Sequence, residues 1–253
     1  MGPLDDGLTA SRWDDEYRRG RYVGEPPLPF VSRISTVLKA RPHLYQADGL
    51  YIGCGNGRNY LPLIDSGLRL YGLDVSEEAL NGLTRERPDV TARVIHMDFR
   101  RFHSDRRFGY VVAIQVFQHG DGTAVRAYFE RVTELLGPGG LLFLRVNSVS
   151  TQIYHAHTVV EHTEAGGLTI RYDEGPKRGL LVHFYSQREL ERLADGVFTP
   201  IDEPREDIIW RSPPKRGFWA QWETIWERLV SIVAPSLPAC PLAQSLPIRQ
   251  TRR

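Results

Sequence analysis

Cysteine is scarce in this chain, which has only Cys54 and Cys240, far apart among 253 residues. Two such residues make neither a metal-type cluster nor a disulfide framework, so no metal site is expected and reduced thiols fit a cytoplasmic setting. A long apolar run is also missing, since no stretch approaches the roughly 20 residues of a membrane-spanning helix. The opening MGPLDDGLTASRWDDEY lacks the basic start and apolar stretch of a secretory signal. No membrane partner is expected, and a cytoplasmic location is. Excess charge is absent too: 32 basic residues stand against 31 acidic ones. That balance offers no bulk field for steering the chain onto phosphate backbones, so no nucleic-acid partner is expected. There is no internal repeat.

What is present reads as a soluble globular protein. Hydrophobic residues at 41% and charged residues at 25% favour neither disorder nor a membrane class. The length allows one domain with appendages. Residues 1–47 hold the clusters Trp13 to Tyr17 and Arg21 to Tyr22, a Pro-rich turn from Glu25 to Pro29, and a helix-like stretch from Phe30 to Leu38. They form an N-terminal helical segment leading into a main domain at 48–234. The Pro-rich residues 235–253 look like a loose tail.

From residue 49, short apolar runs at 50–52, 68–73, 91–97, 110–116 and 141–146 alternate with helical or turn-rich segments. Such alternation predicts an α/β fold, a Rossmann-like doubly wound sheet with helices on both faces. Ser76 suits the cap of a helix from Glu77 to Arg87, with Glu77 and Glu78 at the positive end of its dipole. Val125, Phe129, Val132 and Leu136 recur at helical spacing from Gly122 until Gly137-Pro138-Gly139-Gly140 stops the pattern. After residue 148 the pattern turns β-rich, around 168–172 and 180–185, with Gly175 to Gly179 as a hairpin-like connection. Ser186 with Glu189 makes a capping box for a helix from Gln187 to Ala194. A further amphipathic helix is predicted from Phe218 to about Val233, placing Trp219, Trp222, Trp226, Leu229 and Val233 on one face.

The segment from Leu50 to Asn59 is an apolar strand running into a glycine-rich turn and a helix start. Glycines there let the backbone approach a ligand and permit positive φ, and helix-start amides receive an anionic group. About 20 residues further on, the second strand ends at Asp74, where a carboxylate can accept both hydroxyls of a ribose. Gly53, Gly55 and Gly57 are spaced G-x-G-x-G. A dinucleotide fingerprint starting at Gly55 would need glycine where Tyr60 stands, which disfavours an NAD-dependent oxidoreductase.

With these features in this order, residues 49 to about 147 resemble the class I S-adenosylmethionine-dependent methyltransferases. The resemblance implies S-adenosyl-L-methionine as cofactor. Gly53, Cys54 and Gly55 map to the methionine site, and Asn59 at the following helix start is a further candidate cofactor contact; Asp74 maps to the ribose acid and Val75 to a flank of the adenine. Asp98 matches the acid beside the adenine amino group, with Phe99 adjacent. Gln115 matches the position facing the methionine moiety and the reactive methyl. Leu135 to Leu142 matches the turn before strand five. The family often has an acid two residues before the first glycine, commonly contacting the methionine amine; this chain has Tyr51. Trp13 and Tyr17 resemble the W-x-x-x-Y opening of small-molecule methyltransferases related to the tellurite and thiopurine enzymes, where such a segment folds over the cofactor. An acceptor lid is expected from this segment and from the insertion at about 148–185.

Methyl transfer is an in-line displacement that gains rate from alignment and water exclusion, so a general base is optional. His119, just after strand four at the ligand-binding edge, is the candidate catalytic residue, the alternative being a loop histidine with a structural hydrogen bond. Phe117, His183, Tyr185 and Trp219 join His119 as candidate acceptor contacts, against core or surface placement. Cys54 is read as packing inside the turn, not as a nucleophile. The expected function is methyl transfer to an oxygen, nitrogen or sulfur of a small molecule. The alternatives are a noncatalytic binding module of the same fold, which Tyr51 keeps open, and an RNA or protein methyltransferase.

Overall fold

A computed structural model describes residues 6–230 of the chain. The expected tail at 235–253 lies outside the described residues. The main sheet contains β1 (Asp48–Ile52), β2 (Arg69–Asp74), β3 (Val94–His96), β4 (Phe108–Ile114), β5 (Leu136–Asn147), β10 (Arg205–Trp210) and β11 (Phe218–Arg228), in the order β10-β11-β5-β4-β1-β2-β3. The short β9 (Phe198–Pro200) pairs with β11 as well. Strands β1 to β5 run parallel, whereas β11 enters antiparallel to β5 and β10 antiparallel to β11. The chain therefore reverses away from β1 on either side of the β1–β4 pair, which opens a crevice beyond their carboxyl ends.

Alternation along the strands builds two cores. Leu50, Ile52, Val111, Ala113, Leu142 and Leu144 pack to one side with Phe129, Val132 and Trp226. Tyr51, Tyr110, Val112, Leu141 and Phe143 pack to the other side with Phe30, Ile34 and Leu38. The helices are α1 (Asp6–Arg18), α2 (Pro29–Lys39), α3 (Pro42–Tyr45), α4 (Tyr60–Asp65), α5 (Glu77–Glu86), α6 (Gly122–Leu135) and α7 (Gln187–Ala194). Their starts follow local chemistry. Pro opens α2 and α3 at the first turn, where its missing N–H costs nothing. Ser76 caps α5, Asp121 caps α6 and Ser186 caps α7 through side-chain oxygens that accept backbone N–H bonds.

Three expectations need correction. The stretch from Phe218 is the strand β11, not a helix. Its Trp222 and Trp226 share a face, while Trp219 lies on the other. The Thr, Ile and Trp residues suit a pleated surface, and pairing with both β5 and β10 decides against the 3.6 period. Leu229 and Val230 follow the strand as exposed residues, and Val233 lies outside the described residues. The third strand is confined to Val94–His96, because Pro88 begins a 3-10 turn that takes residues 88–93. Finally, Gly137 to Gly140 do not precede β5 but bulge within it, between the pairings Phe108 to Leu136 and Tyr110 to Leu141.

The insertion forms its own antiparallel sheet of β6 (His157–His162), β7 (Leu168–Tyr172) and β8 (Leu181–Phe184). The last two are the expected β-rich segments, and β6 is additional. No helix among the described residues is long and apolar enough to cross a membrane.

Candidate active site

The glycine turn after β1 takes positive φ at Gly53, Gly55 and Gly57, the region that favours residues without a Cβ. Gly53 donates its N–H to the Leu73 carbonyl at 2.7 Å, which ties the turn to the end of β2. There Asp74 is almost fully buried, and its two oxygens accept the Gly55 N–H at 2.7 Å and the Ser76 N–H at 2.8 Å. Burial raises the Asp74 pKa, and the N–H groups of Ser76, Gly55 and Val75 counter only part of that rise. Each oxygen keeps a lone pair for a further donor.

The N-terminal segment closes over this turn. Asp14 on α1 accepts the Ser76 hydroxyl at 2.6 Å and the Glu78 N–H at 3.2 Å, so α1 docks on the first turn of α5. The following loop is clamped by Arg58, whose Nε donates to the Pro26 carbonyl at 2.7 Å, and by Asn59, whose Oδ1 accepts the Leu28 N–H at 2.9 Å. Between these walls lies a cavity of about 460 Å³ lined by both apolar and polar groups. That volume suits a drug-sized ligand.

Residues 50–140 match the family described as methyltransferase domain. The chain carries a methyltransferase domain. No curated protein sequence matches the chain. Among solved structures, the chain is similar to the 1,6-didemethyltoxoflavin-N1-methyltransferase of Burkholderia thailandensis, with bound 1,6-didemethyltoxoflavin and S-adenosylhomocysteine (TM-score 0.61, 20% identity, 91% of this chain and 93% of that one). TehB from Haemophilus influenzae is similar at TM-score 0.60 and 13% identity, over 86% of this chain and 67% of that one. The N-methyltransferase NodS from Bradyrhizobium japonicum, in complex with S-adenosylhomocysteine, is similar at TM-score 0.54 and 17% identity, over 89% and 99%. The methyltransferase fold expected from the sequence is thus borne out, with the matched domain spanning the glycine turn, Asp74, Asp98 and Gln115.

The cavity wall brings together Trp13, Tyr17, Gly53, Cys54, Gly55, Asn59, Asp74, Val75, Asp98, Phe99, Gln115 and His119. Cys54 is buried, and burial with the nearby Asp74 pushes its thiol well up, which fits packing and not a thiolate nucleophile. Asp98 caps the short turn Phe99–Arg101. Burial pushes its carboxyl up, but the Arg100 guanidinium and backbone N–H outweigh that and hold it below the usual carboxylate range. Tyr17 stays a phenol because burial, then Asp74, raise its pKa.

His119 faces the cavity with its ring edge-on to Trp13, centroids 5.5 Å apart. Neither ring nitrogen has a partner at hydrogen-bonding distance among the described residues, although both are buried. Burial and then the Lys177 ammonium lower its pKa to about 3, against an opposing effect of the Gln115 backbone. The ring is therefore neutral near pH 7, and one of its two unpartnered nitrogens is an acceptor.

Four expected acceptor contacts lie elsewhere. Phe117 is buried behind the wall, stacked between Phe99 and Tyr128 at 5.6 and 5.0 Å. His183 is buried with its nitrogens engaged at 2.8 Å by Thr169 and at 2.8 Å by Glu189. Tyr185 is buried and donates its hydroxyl to the Phe117 carbonyl. Trp219 sits in a separate surface cleft beneath Arg211, whose guanidinium lies 4.5 Å from the ring centroid. The cavity instead uses Tyr22, Tyr128, Leu180 and Leu181, none of them among the expected contacts. Tyr128 falls one residue from the helical stripe that named Phe129, and its hydroxyl donates to the His119 carbonyl at 2.8 Å. Among the described residues no cluster of His, Cys, Asp and Glu could hold a metal ion.

Proposed function

We propose that the protein transfers a methyl group from S-adenosylmethionine to an N–H or O–H group of a small, flat, aromatic molecule. One observation carries this reading: the unpartnered His119 ring opens into the same cavity as the glycine turn and Asp74, walled by Trp13, Tyr22, Phe99 and Tyr128. Aromatic walls favour planar ligands. The similar 1,6-didemethyltoxoflavin-N1-methyltransferase was solved with 1,6-didemethyltoxoflavin bound, which agrees with a small-molecule acceptor.

The residues present fit the cofactor. A Cβ at Gly53 would meet Val116 at 2.2 Å, so this part of the cradle admits backbone only, and Asp74 offers a buried acceptor bonded to the turn at Gly55. When bound, S-adenosylmethionine supplies an electrophilic methyl on a sulfonium. The chain's own contribution is alignment and exclusion of water. Asp74 holds the ribose end, α1 and Leu180 and Leu181 close the cavity, and His119 accepts a hydrogen bond from the acceptor. Because its pKa is about 3, His119 orients the acceptor's lone pair and does not store its proton, which the methylated product carries out of the closed cavity and then loses to solvent.

Calorimetric titration with S-adenosylhomocysteine, followed by turnover on a panel of phenols, heteroaryl N–H compounds, amines and thiols, tests the reading. Micromolar binding with methylation of planar N–H or O–H compounds is expected. Binding of NAD in place of the nucleoside, or methylation confined to RNA or protein, overturns it.

A further inference from the structure

A buried chain of amides and one guanidinium leads from the cavity wall to the far edge of the sheet. Gln115 stands at its inner end, at the carboxyl end of β4, with φ 61°, a left-handed conformation rare for a residue with a side chain. Its backbone N–H donates to the Arg145 carbonyl at 2.7 Å, and its side-chain Nε2 donates to Gln221 Oε1 at 3.0 Å. The same oxygen accepts Arg145 Nε at 2.8 Å. Arg145 is fully buried and is held by Asp207 at 2.7 Å and by Glu223. Gln221 completes its own bonds by donating Nε2 to Asn147 Oδ1 at 3.3 Å.

A guanidinium only donates. Arg145 therefore requires that Gln221 present its oxygen, and that oxygen requires Gln115 to present its NH2. Orientation passes through two amides, which leaves Gln115 Oε1 as the acceptor it can offer the cavity. The opposite side of the turn has the reverse polarity. Asn59 spends its oxygen on the Leu28 N–H, which leaves its NH2 as the group it can offer, and Tyr51 lines the cavity beside it. The cavity thus carries a donor where related enzymes have an acid, and an acceptor at Gln115.

We propose that Arg145 and Gln221 are positioning residues that hold Gln115 Oε1 as the acceptor for the ammonium of the cofactor's amino-acid end, with the Tyr51 hydroxyl facing its carboxylate. The proposal rests on reading the cavity as an S-adenosylmethionine site. In Gln221→Leu, Arg145 Nε loses its acceptor and recruits Gln115 Oε1, which turns an NH2 toward the ammonium. Gln221→Glu keeps an acceptor oxygen for both neighbours.

The test is calorimetry with two nucleosides, S-adenosylhomocysteine and 5′-methylthioadenosine, which lacks the amino-acid end. Gln221→Leu should bind S-adenosylhomocysteine about tenfold more weakly, the loss of one charge-assisted hydrogen bond. Its affinity for 5′-methylthioadenosine should match wild type, which also shows that the site is folded. Gln221→Glu should recover most of the loss. Equal weakening of both ligands, unchanged S-adenosylhomocysteine binding in Gln221→Leu, or no recovery in Gln221→Glu each overturns the proposal. Wild-type protein that binds neither nucleoside overturns the cofactor reading itself.

Discussion

The Tyr17 hydroxyl rests so close above Gly55 that a Cβ on Gly55 would lie 2.2 Å from its oxygen. Helix α1 and the glycine turn therefore fit each other through one missing methyl group. Gly55 also has φ +54°, where a side chain adds about 1 kcal/mol of strain. Gly55→Ala is expected to displace Tyr17 and weaken S-adenosylhomocysteine at least tenfold in calorimetry. Adding Tyr17→Phe removes the nearest atom and leaves a ring carbon at 3.1 Å, so the double variant should recover part of the affinity. A double variant no better than Gly55→Ala would show that backbone strain alone sets the loss.

The docking of α1 has a second anchor in Asp14, which accepts bonds from the Ser76 hydroxyl and the Glu78 N–H at the start of α5. A carboxylate on a helix N-terminus is favoured by both the free N–H groups and the dipole. Asp14→Ala should cost about 1 kcal/mol and loosen α1 without unfolding the sheet. Limited proteolysis reads this directly. Cleavage between residues 19 and 25 should accelerate severalfold in the variant, and saturating S-adenosylhomocysteine should protect wild type better than the variant.

The turn and its two acids were legible because their chemistry is local. Glycines with positive φ, a strand-ending Asp74 and a capping Asp98 each declare themselves within a few residues. The parallel strands were legible for a related reason, since strands buried on both faces read as continuous apolar runs. The acceptor contacts were not, because a strand position names two possible faces, and Phe117, His183 and Tyr185 point into packed interior. For β11 the local signal pointed the wrong way: Trp219, Trp222 and Trp226 recur at helical spacing, yet pairing on both edges holds them extended. The Arg145 to Gln221 bond joins residues 76 apart in sequence, and only the sheet order brings them together.

Asp74 serves two masters, holding the Gly55 N–H in the free protein and offering lone pairs to a ribose. Asp74→Ala removes both. We expect S-adenosylhomocysteine affinity to fall about a hundredfold, with a further loss of about 1–3 kcal/mol of stability from the orphaned N–H groups. Since burial raises the Asp74 pKa, its charge is lost at a higher pH than for an exposed carboxylate. Wild-type affinity measured across pH 4 to 7 should fall on the acid side, and affinity in Asp74→Ala should be flat over that range. A flat wild-type profile would detach Asp74 from the ribose.

His119 makes separate predictions for stability and turnover. Its pKa of about 3 in the folded protein lies below the ordinary histidine value of 6.5. Between those values the unfolded chain binds a proton that the folded chain does not, so stability rises with pH across that window and is lost as pH falls through it. Unfolding of wild type near pH 5 should take up close to one more proton than unfolding of His119→Asn, a slope difference of about 1.4 kcal/mol per pH unit. Urea unfolding at a series of pH values measures that difference, and parallel slopes would mean that water reaches the ring. In turnover, His119→Ala should lose about a hundredfold in kcat/KM for the methyl acceptor and keep its affinity for S-adenosylhomocysteine, because the ring meets the acceptor and not the nucleoside. The rate should show no limb from His119 between pH 5 and 8 in wild type, since the ring stays neutral throughout. A limb in that range that vanishes in His119→Ala would make the histidine a proton store rather than the hydrogen-bond acceptor that its unpartnered, buried nitrogens provide.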